Sequence, residues 1–214
     1  LTGHTPLLAL NRYQRKHGLH ANIWAKLEFY NPNQNVKDRT ALAMIEAAEK
    51  EGKISPGDTI LEMTSGNTGI GVAAVAAVKG YKAKILIQDD VSEERFKTIR
   101  AFGGQALKFS DEPFIREASE ENDDFMAVVK RYEEEILSKQ EGVYFLNQTE
   151  NLINAKAHED TTGPEIWEDT DGKVDVVVAT IGTGGTLTGI AHFNREQKLM
   201  HFRYLSGKKK LDRL

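Results

Sequence analysis

Lys37 is the first residue of this sequence whose type and position could do chemistry. It follows the asparagine-rich loop 31–36, and Asp38 begins a helical pattern that runs to Lys50. At the start of a helix the positive end of the macrodipole disfavours an ammonium group. A lysine that is also desolvated there would have a lowered pKa and could act as a nucleophile. The alternative is an ordinary solvated lysine, and Lys37 taken alone does not decide between the two.

The second segment of interest is a loop rich in hydroxyl and amide side chains, between a predicted strand and a predicted helix. Its residues are Thr64, Ser65, Gly66, Asn67, Thr68 and Gly69. Backbone N–H groups at a helix N-terminus can bind an anion, and the two glycines let the backbone approach a ligand closely. The side chains add donors suited to a carboxylate or phenolate oxygen. A capped strand-to-helix turn without a ligand is the alternative.

The third segment is a glycine-rich loop after the apolar run 174–181. Its residues are Gly182, Thr183, Gly184, Gly185 and Thr186. Several unobstructed amides and two hydroxyls before a predicted helix suit a phosphate dianion. The spacing does not fit the dinucleotide fingerprint, whose third glycine would fall at Leu187, and no P-loop lysine follows. We therefore expect a phosphate cradle for something other than a nucleotide, with a plain tight turn as the alternative.

The elements expected to position these segments are short strands that alternate with longer helices. From β-rich or continuous apolar runs, strands are predicted at residues 23–29, 59–63, 83–88, 105–109, 143–146 and 174–181. From apolar residues at helical spacing, helices are predicted at residues 38–50, 69–79, 92–102, 125–139 and 187–197. This alternation predicts an α/β fold with largely parallel sheets.

Two of the chain's segments carry a more specific expectation. The run 174–181 is nearly all apolar, which is typical of a parallel strand buried on both faces. The segment 110–124 is strongly acidic, and we expect it to be a solvated surface insertion rather than a metal or partner site.

The composition excludes several classes of function. The formal net charge is -4 and the sequence pI is about 5.9, so no nucleic-acid partner is expected. The chain has no cysteine, which excludes disulfides, thiolate metal sites and thiol catalysis by the protein itself. No apolar run is long enough to cross a membrane and no signal peptide is recognisable, so we expect a cytoplasmic protein.

Four segments resemble one known family in their order and approximate spacing. They are residues 31–39, 64–69, 161–167 and 182–186. A lysine able to form a Schiff base, a phosphate cradle and a carboxylate-binding loop are together the parts of a pyridoxal-phosphate (PLP) enzyme. The segments resemble the cysteine synthase (O-acetylserine sulfhydrylase) family, whose loops are shared by cystathionine β-synthase. The resemblance runs from about Gly3 to Ala191.

The resemblance implies the fold-type II PLP architecture, which consists of two interleaved three-layer α/β domains with mostly parallel sheets. Residues 40–142 would form a smaller mobile domain that carries the carboxylate loop. Residues 1–39 plus 143–214 would form the larger cofactor-binding domain. That domain would be incomplete, because the family continues well beyond the end of this chain.

The resemblance also implies roles for individual residues. Lys37 would hold PLP through a Schiff base and later move the α-proton of the substrate. Further contacts to the cofactor are implied for Asn67, Gly182, Thr183, Gly184, Gly185 and Thr186. Contacts to the carboxylate of an amino-acid substrate are implied for Thr64, Ser65, Gly66, Asn67, Thr68 and Gln148. No metal is implied.

The function implied by the resemblance is PLP-dependent β-replacement. The reaction would make L-cysteine from O-acetyl-L-serine and sulfide through an aminoacrylate intermediate, in a homodimer. One alternative is β-replacement of the cystathionine β-synthase type, with homocysteine as the nucleophile. The other is a non-catalytic PLP-binding remnant, because no residue of this chain can be assigned as the partner of the pyridine nitrogen.

The chain departs from the family pattern in two notable places. Asn35 stands where the family usually has a small serine, beside the expected cofactor. After Ala191 the resemblance fades, and residues 192–214 do not look like the expected helix and strand. Without the rest of the larger domain, we expect an exposed apolar surface around the run 174–181.

Overall fold

The computed structural model describes residues 1–122 and 124–196. Most of the segment 192–214, where the sequence departs from the family pattern, lies outside these residues. Within them, no helix is both long enough and apolar enough to cross a membrane.

The described residues form six strands, nine α-helices and several tighter helical turns. The strands are β1 (Leu7–Ala9), β2 (Trp24–Lys26), β3 (Thr59–Thr64), β4 (Lys82–Ile87), β5 (Gln105–Lys108) and β6 (Val143–Phe145). The α-helices are α1 (Asn11–Lys16), α2 (Lys37–Lys50), α3 (Asn67–Lys79), α4 (Glu93–Ala101), α5 (Pro113–Glu121), α6 (Phe125–Glu135), α7 (Ile153–Ala157), α8 (Gly163–Asp169) and α9 (Gly185–Glu196). The 3₁₀ turns are Glu28–Tyr30, Phe109–Asp111 and Leu137–Lys139, and a π-helix, His158–Thr162, joins α7 to α8.

The chain divides into two compact units. The terminal unit combines Leu1–Thr40 with the described residues that follow Asn151, and the central unit is Ala41–Asn151. The assignment of residues 40–142 to a mobile domain stays a prediction. Its expected end at residue 142 differs from the boundary found here, because β6 pairs with β3 and so belongs to the central unit.

The central unit contains a four-stranded parallel sheet in the order β5-β4-β3-β6. The chain lays down β3, β4 and β5 in one direction and then places β6 on the other side of β3. This reversal creates a topological switch point between the carboxyl ends of β3 and β6. Ligands of open α/β sheets bind at such points. The α/β fold with a parallel sheet is therefore confirmed.

Helices cover both faces of the central sheet. On one face α5 and α6 pack their apolar residues, including Ile115 and Tyr132, against Leu61 and Leu86. The acidic segment is thus largely an amphipathic surface helix, with its apolar side buried and its carboxylates outside. On the other face α3 lies so close to the sheet that a Cβ on Gly69 would come within 2.4 Å of the Ile85 side chain.

The terminal unit consists of the antiparallel pair β1–β2 and a helical cluster. In this cluster α9 packs closely against α7 and the π-helix. A Cβ on Gly189 of α9 would lie 2.1 Å from the carbonyl oxygen of Ala155, so only glycine permits this approach. The position of α9 fixes the glycine-rich loop that precedes it.

The strand predicted at 174–181 is not formed. The segment is extended and has only an isolated bridge residue at Thr180. Val177 is buried with Ile166 and Ile190, whereas Val176 and Val178 are 54% and 66% exposed. A strand buried on both faces needs neighbouring strands, and no pairing of the segment with β1–β6 is found in the described part of the chain. The exposed valines are the apolar surface expected here.

Candidate active site

Lys37 is the first residue of α2, and the loop before it is rigidly hydrogen-bonded. The Asn35 side chain accepts a hydrogen bond from the Lys37 backbone N–H at 2.9 Å and donates one to the Asn33 carbonyl at 2.8 Å. Asp38 accepts from the backbone and side chain of Asn33 at 2.6 and 2.9 Å. The amide of Asn35 therefore caps the start of α2, a task for which asparagine and serine are equally suited.

Arg39, in the first turn of α2, is clamped between two carboxylates of the terminal unit. It donates to both oxygens of Glu28, each at 2.8 Å, and to both oxygens of Glu165, at 2.6 and 2.7 Å. Paired bidentate contacts of this kind fix a guanidinium in direction as well as position. Lys26 completes the cluster at 2.9 Å from Glu165. The clamp holds the helix turn that carries Lys37.

The clamp also sets the ionisation of its members. Burial alone would raise the pKa of Glu165, but hydrogen bonds from Arg39, the His4 backbone and Lys26 outweigh it and lower that pKa to about 2. Burial is likewise opposed at Glu28, where Arg39 and Thr5 lower the pKa. Both carboxylates are therefore ionised at neutral pH, and they raise the pKa of Arg39 against the effect of its burial.

The glycine-rich loop leads into α9, whose first residue is Gly185. Gly184 has φ +84°, a conformation that favours glycine, and a Cβ on Gly182 would meet open space. On its inner side the loop touches Asn154, which donates to the Thr183 hydroxyl oxygen at 2.8 Å. The amides that begin α9 and two threonine hydroxyls make a donor set suited to an anion.

The structure brings Lys37 and this loop together within the terminal unit. The Lys37 ammonium lies 3.5 Å from the hydroxyl oxygen of Thr183. Residues 146 positions apart in the sequence thus meet at the entrance of two helices. An amine beside a phosphate-type cradle is the arrangement needed to hold a phosphorylated aldehyde.

His158 lies beneath the glycine-rich loop and is fully buried. Its Nδ1 is 2.8 Å from the Thr162 hydroxyl, and its Nε2 is 3.2 Å from that of Thr186 and 3.4 Å from that of Thr40. Burial, together with the positive charges of Arg39 and Lys37, lowers the pKa of His158 to about 4. The imidazole is therefore neutral at physiological pH.

The central unit carries the hydroxyl-rich loop at the carboxyl end of β3. Gly66 has φ +132°, and its N–H donates to the Thr64 hydroxyl at 3.1 Å. Ser65 and Asn67 are exposed, and α3 begins at Asn67. The loop therefore presents a helix N-terminus with polar side chains at the switch point of the sheet.

Gln148 follows β6 and meets the same loop. Its side-chain oxygen accepts from the Thr68 hydroxyl at 2.5 Å, and its backbone N–H donates to Glu62 at 3.3 Å. Glu62 is a buried carboxylate in β3 that also accepts from the Met63 N–H at 3.1 Å. The structure thus brings Thr64, Thr68 and Gln148 together around one turn at the start of α3.

Sequence reasoning missed three polar residues that support these loops. Glu62 was visible as an acidic residue within an apolar strand directly before the hydroxyl-rich loop, and that signal could have been used. Asn154 and His158 carry no comparable signal, because their partners Thr183 and Thr186 lie 29 and 28 positions away. Among the described residues, no group of three or more His, Cys, Asp or Glu side chains could hold a metal ion.

Comparison with known proteins defines the class. The family described as "Pyridoxal-phosphate dependent enzyme" matches residues 1–203, so the chain belongs to the PLP-dependent enzyme family. It is 43% identical over 196 residues to cysteine synthase B of Salmonella typhimurium, covering 92% of this chain and 60% of that protein. It is also 43% identical over 195 residues to cystathionine beta-synthase of Rattus norvegicus, covering 91% of this chain and 33% of that protein.

Solved structures show the same architecture. A hydrogen sulfide-producing enzyme from Fusobacterium nucleatum matches with a TM-score of 0.81 and 38% identity, over 95% of this chain and 64% of that one. O-ureido-L-serine synthase matches with a TM-score of 0.80 and 33% identity, over 98% of this chain and 62% of that one. These neighbours are fold-type II PLP enzymes. The chain spans about 60% of the length of cysteine synthase B.

The residues of the terminal unit fit the family's cofactor. The glycine-rich loop has open space at Gly182, helix-start amides and hydroxyls for a phosphate, and Lys37 stands beside it as the amine for an aldehyde. This fit rests on the donor set itself and is independent of the family match.

Proposed function

We propose that this chain belongs to an enzyme that performs PLP-dependent β-replacement on an amino acid. The observation that carries the proposal is the 3.5 Å approach of the Lys37 ammonium to Thr183 of the glycine-rich loop. It joins the only two chemical groups that a phosphorylated aldehyde requires, an amine and an anion cradle. Membership in the PLP-dependent family supports the same conclusion.

In this proposal Lys37 holds PLP and residues Gly182, Thr183, Gly184, Gly185 and Thr186 bind its phosphate. Asn67 supplies a hydrogen bond to the ring's phenolic oxygen. When bound, PLP supplies an electron sink that stabilises negative charge at the substrate's α-carbon. Once the substrate's amino group had replaced it on the cofactor, the released Lys37 Nζ would be the positioned base that removes the α-proton and holds it for return.

The hydroxyl-rich loop of the central unit binds the substrate's carboxylate in this proposal. The residues assigned to it are Thr64, Ser65, Gly66, Asn67, Thr68 and Gln148. Their position at the switch point of the sheet supports this role, because ligands of such sheets bind there. The Thr68–Gln148 hydrogen bond fixes two of these side chains against one another before a ligand arrives.

For the reaction itself we propose the formation of L-cysteine from O-acetyl-L-serine and sulfide. The 43% identity to cysteine synthase B supports it. Equal identity to cystathionine beta-synthase supports the second candidate, in which homocysteine is the nucleophile. In either reaction the sulfur must come from a substrate, because the chain has no cysteine.

Product analysis with two substrate pairs tests the proposal. The protein is loaded with PLP and given O-acetyl-L-serine with sulfide, or L-serine with homocysteine, and cysteine and cystathionine are quantified. We expect cysteine to dominate, Lys37→Ala to abolish both products, and the exposed-lysine control Lys53→Ala to behave as wild type. Dominant cystathionine would select the second candidate. A Schiff base without either product would show a PLP-binding protein that is not catalytic.

We also propose, from the family resemblance, that the protein works in the cytoplasm as a homodimer on small-molecule substrates. Sedimentation velocity tests the assembly. A single species at twice the chain mass would agree with the dimer, and a monomer across a wide concentration range would contradict it.

A further inference from the structure

The hydroxyl groups of Thr183 and Thr186 each contact a buried polar side chain of the terminal unit, Asn154 and His158 respectively. Three nitrogen donors converge on the Thr183 oxygen: Asn154 Nδ2 at 2.8 Å, and Lys37 Nζ and the Gly185 N–H at 3.5 Å. Because the lone pairs of this hydroxyl oxygen face the nitrogen donors, its own O–H must point away from them. Thr183 is therefore set to donate.

The state of Thr186 depends on which nitrogen of His158 carries the proton. If Nε2 is protonated, it donates to Thr186, whose own proton then points away from the ring. If Nε2 carries no proton, it accepts a hydrogen bond from the Thr186 hydroxyl, which then cannot donate to a ligand. The two tautomers thus produce opposite hydroxyl polarity at the loop.

Thr40 distinguishes the two tautomers. Its hydroxyl donates to Asn154 Oδ1 at 3.2 Å, so the oxygen that faces His158 Nε2 at 3.4 Å presents a lone pair. If Nε2 carried no proton, its lone pair would face the lone pair of the Thr40 oxygen and repel it. A protonated Nε2 instead donates a hydrogen bond to that oxygen. At the other side of the ring Nδ1 lies 2.8 Å from the Thr162 hydroxyl, which can donate to it. The Nε2–H tautomer is thus compatible with all four contacts, with its single N–H shared between Thr186 at 3.2 Å and Thr40 at 3.4 Å.

We propose that His158 is a positioning residue, held as the neutral Nε2–H tautomer, which together with Asn154 turns the hydroxyl protons of Thr183 and Thr186 outward toward a phosphate. This inference rests on the proposed role of the loop in binding the PLP phosphate. Among the residues that the structure describes, neither hydroxyl then has an acceptor within the protein. The loop is thereby preset as a set of donors before the anion binds, which removes a reorganisation cost.

The burial of the network supports this assignment. Thr40 and His158 are fully buried, and Asn154 and Thr162 are each 3% exposed, so bulk water does not compete for their hydrogen bonds. Burial and the neighbouring cations Arg39 and Lys37 disfavour a protonated imidazolium and outweigh the opposite effect of Glu28 and Glu165, which are paired with Arg39 and Lys26.

The tautomer is read directly by ¹⁵N NMR of protein labelled at histidine, with and without PLP. His158→Gln identifies the His158 resonances among those of six histidines. We expect a protonated Nε2 and a bare Nδ1 at neutral pH in both samples. A protonated Nδ1, or an imidazolium, would overturn the inference whether or not PLP binds.

A second measurement compares the affinity of PLP with that of pyridoxal, which has no phosphate. His158→Leu removes the donor to Thr186 and is expected to weaken PLP binding by about tenfold while leaving pyridoxal unchanged. His158→Gln keeps an N–H donor and is expected to restore PLP binding to within about twofold of wild type. Thr161→Val, next to Thr162 but bonded to the Ala157 carbonyl, is the matched control and should change neither ligand.

The outcomes separate this inference from the proposed function. If wild-type protein forms no Schiff base with PLP, the proposed function fails, and the NMR result still decides the tautomer. If wild type binds PLP but His158→Leu weakens PLP and pyridoxal by the same factor, the positioning role fails and the proposed function stands.

Discussion

At the scale of single residues, the polar contacts of the terminal unit concentrate on Arg39. It pairs with the partly buried Glu28 and, together with Lys26, with the buried Glu165, and its own side chain is 2% exposed. Breaking one partner of a buried ion cluster leaves the other charges without compensation. Arg39 therefore matters for stability well beyond a surface ion pair, and its proximity to Lys37 links that stability to the candidate active site.

We predict that Arg39→Met lowers the free energy of unfolding by about 3 to 5 kcal/mol, because Glu28 loses its cation and Glu165 keeps only Lys26. Urea unfolding followed by circular dichroism measures the change. Lys53→Met removes a solvent-exposed ion pair with Glu51 and should leave the midpoint unmoved. Equal effects of the two substitutions would show that the clamp does not stabilise the fold.

His158 provides a prediction of pH dependence. Its pKa is about 4 in the folded protein against an ordinary value of 6.5. As the pH falls below 6.5, His158 becomes protonated in the unfolded chain but stays neutral in the folded chain until about pH 4. The stabilisation is thus present above pH 6.5 and is lost through this window, by about 2 kcal/mol between pH 7 and pH 5.

The measurement is urea unfolding of wild type and His158→Gln at several pH values from 7 to 5. The variant has no group that titrates at this position, so its stability should change much less with pH. His20→Gln is the control, because His20 lies exposed on the surface and its replacement should leave the wild-type slope intact. A wild-type slope retained in His158→Gln would contradict the assignment.

At the scale of elements, the start of α2 determines where Lys37 points. Asn35 departs from the serine usual in the family, yet its side chain caps the helix through the Lys37 N–H at 2.9 Å. We predict that Asn35→Ser is nearly neutral, since both residues cap equally well. Asn35→Ala should cost about 1 kcal/mol in the free energy of unfolding. Thermal unfolding of the three proteins tests this, and an equal loss for serine and alanine would show that capping is not the role of Asn35.

Most elements could be predicted because local signals and packing agree. The helix expected at 69–79 begins at Asn67, and the strands at 59–63 and 83–88 lie within one residue of their observed limits. Their apolar periodicity matches the faces that they bury. The boundaries shifted where a turn conformation decided them, as at Leu137–Lys139, where the predicted helix 125–139 gives way to a 3₁₀ turn after Glu135.

The run 174–181 was wrongly predicted as a strand for a physical reason. Its apolar composition is typical of a strand buried in a sheet, but composition does not reveal whether neighbouring strands are present to pair with it. Within this run Val177 is buried and Val174 packs beside it partly buried, whereas Val176 and Val178 are exposed. The predicted strand at 23–29 was likewise shortened to Trp24–Lys26, where pairing with β1 ends.

The sequence predicted the loops of the candidate site but not the buried hydrogen-bond network that supports them. Glycine spacing and hydroxyl content marked residues 64–69 and 182–186 without any structure. The supporting residues Asn154 and His158 could not be found in this way, because what defines them is burial and contact with residues distant in sequence. Whether these loops bind the ligands proposed for them stays a prediction.

At the scale of the whole molecule, the chain belongs to the PLP-dependent enzymes and spans about 60% of the length of cysteine synthase B. Its terminal unit holds Lys37 and the glycine-rich loop, and its central unit holds the hydroxyl-rich loop with Gln148. Each unit thus carries one complete part of the chemistry proposed above. The proposed chemistry depends most on the first part, the attachment of the cofactor.

Borohydride reduction after incubation with PLP, followed by peptide mapping, tests that attachment most directly. Reduction converts the Schiff base to a stable secondary amine, which marks the lysine that formed it. We predict that the label lies on Lys37 in wild-type protein and is lost in Lys37→Ala but not in Lys53→Ala. A label on another lysine, or equal labelling of wild type and Lys37→Ala, would contradict the assignment of Lys37 as the cofactor-binding residue.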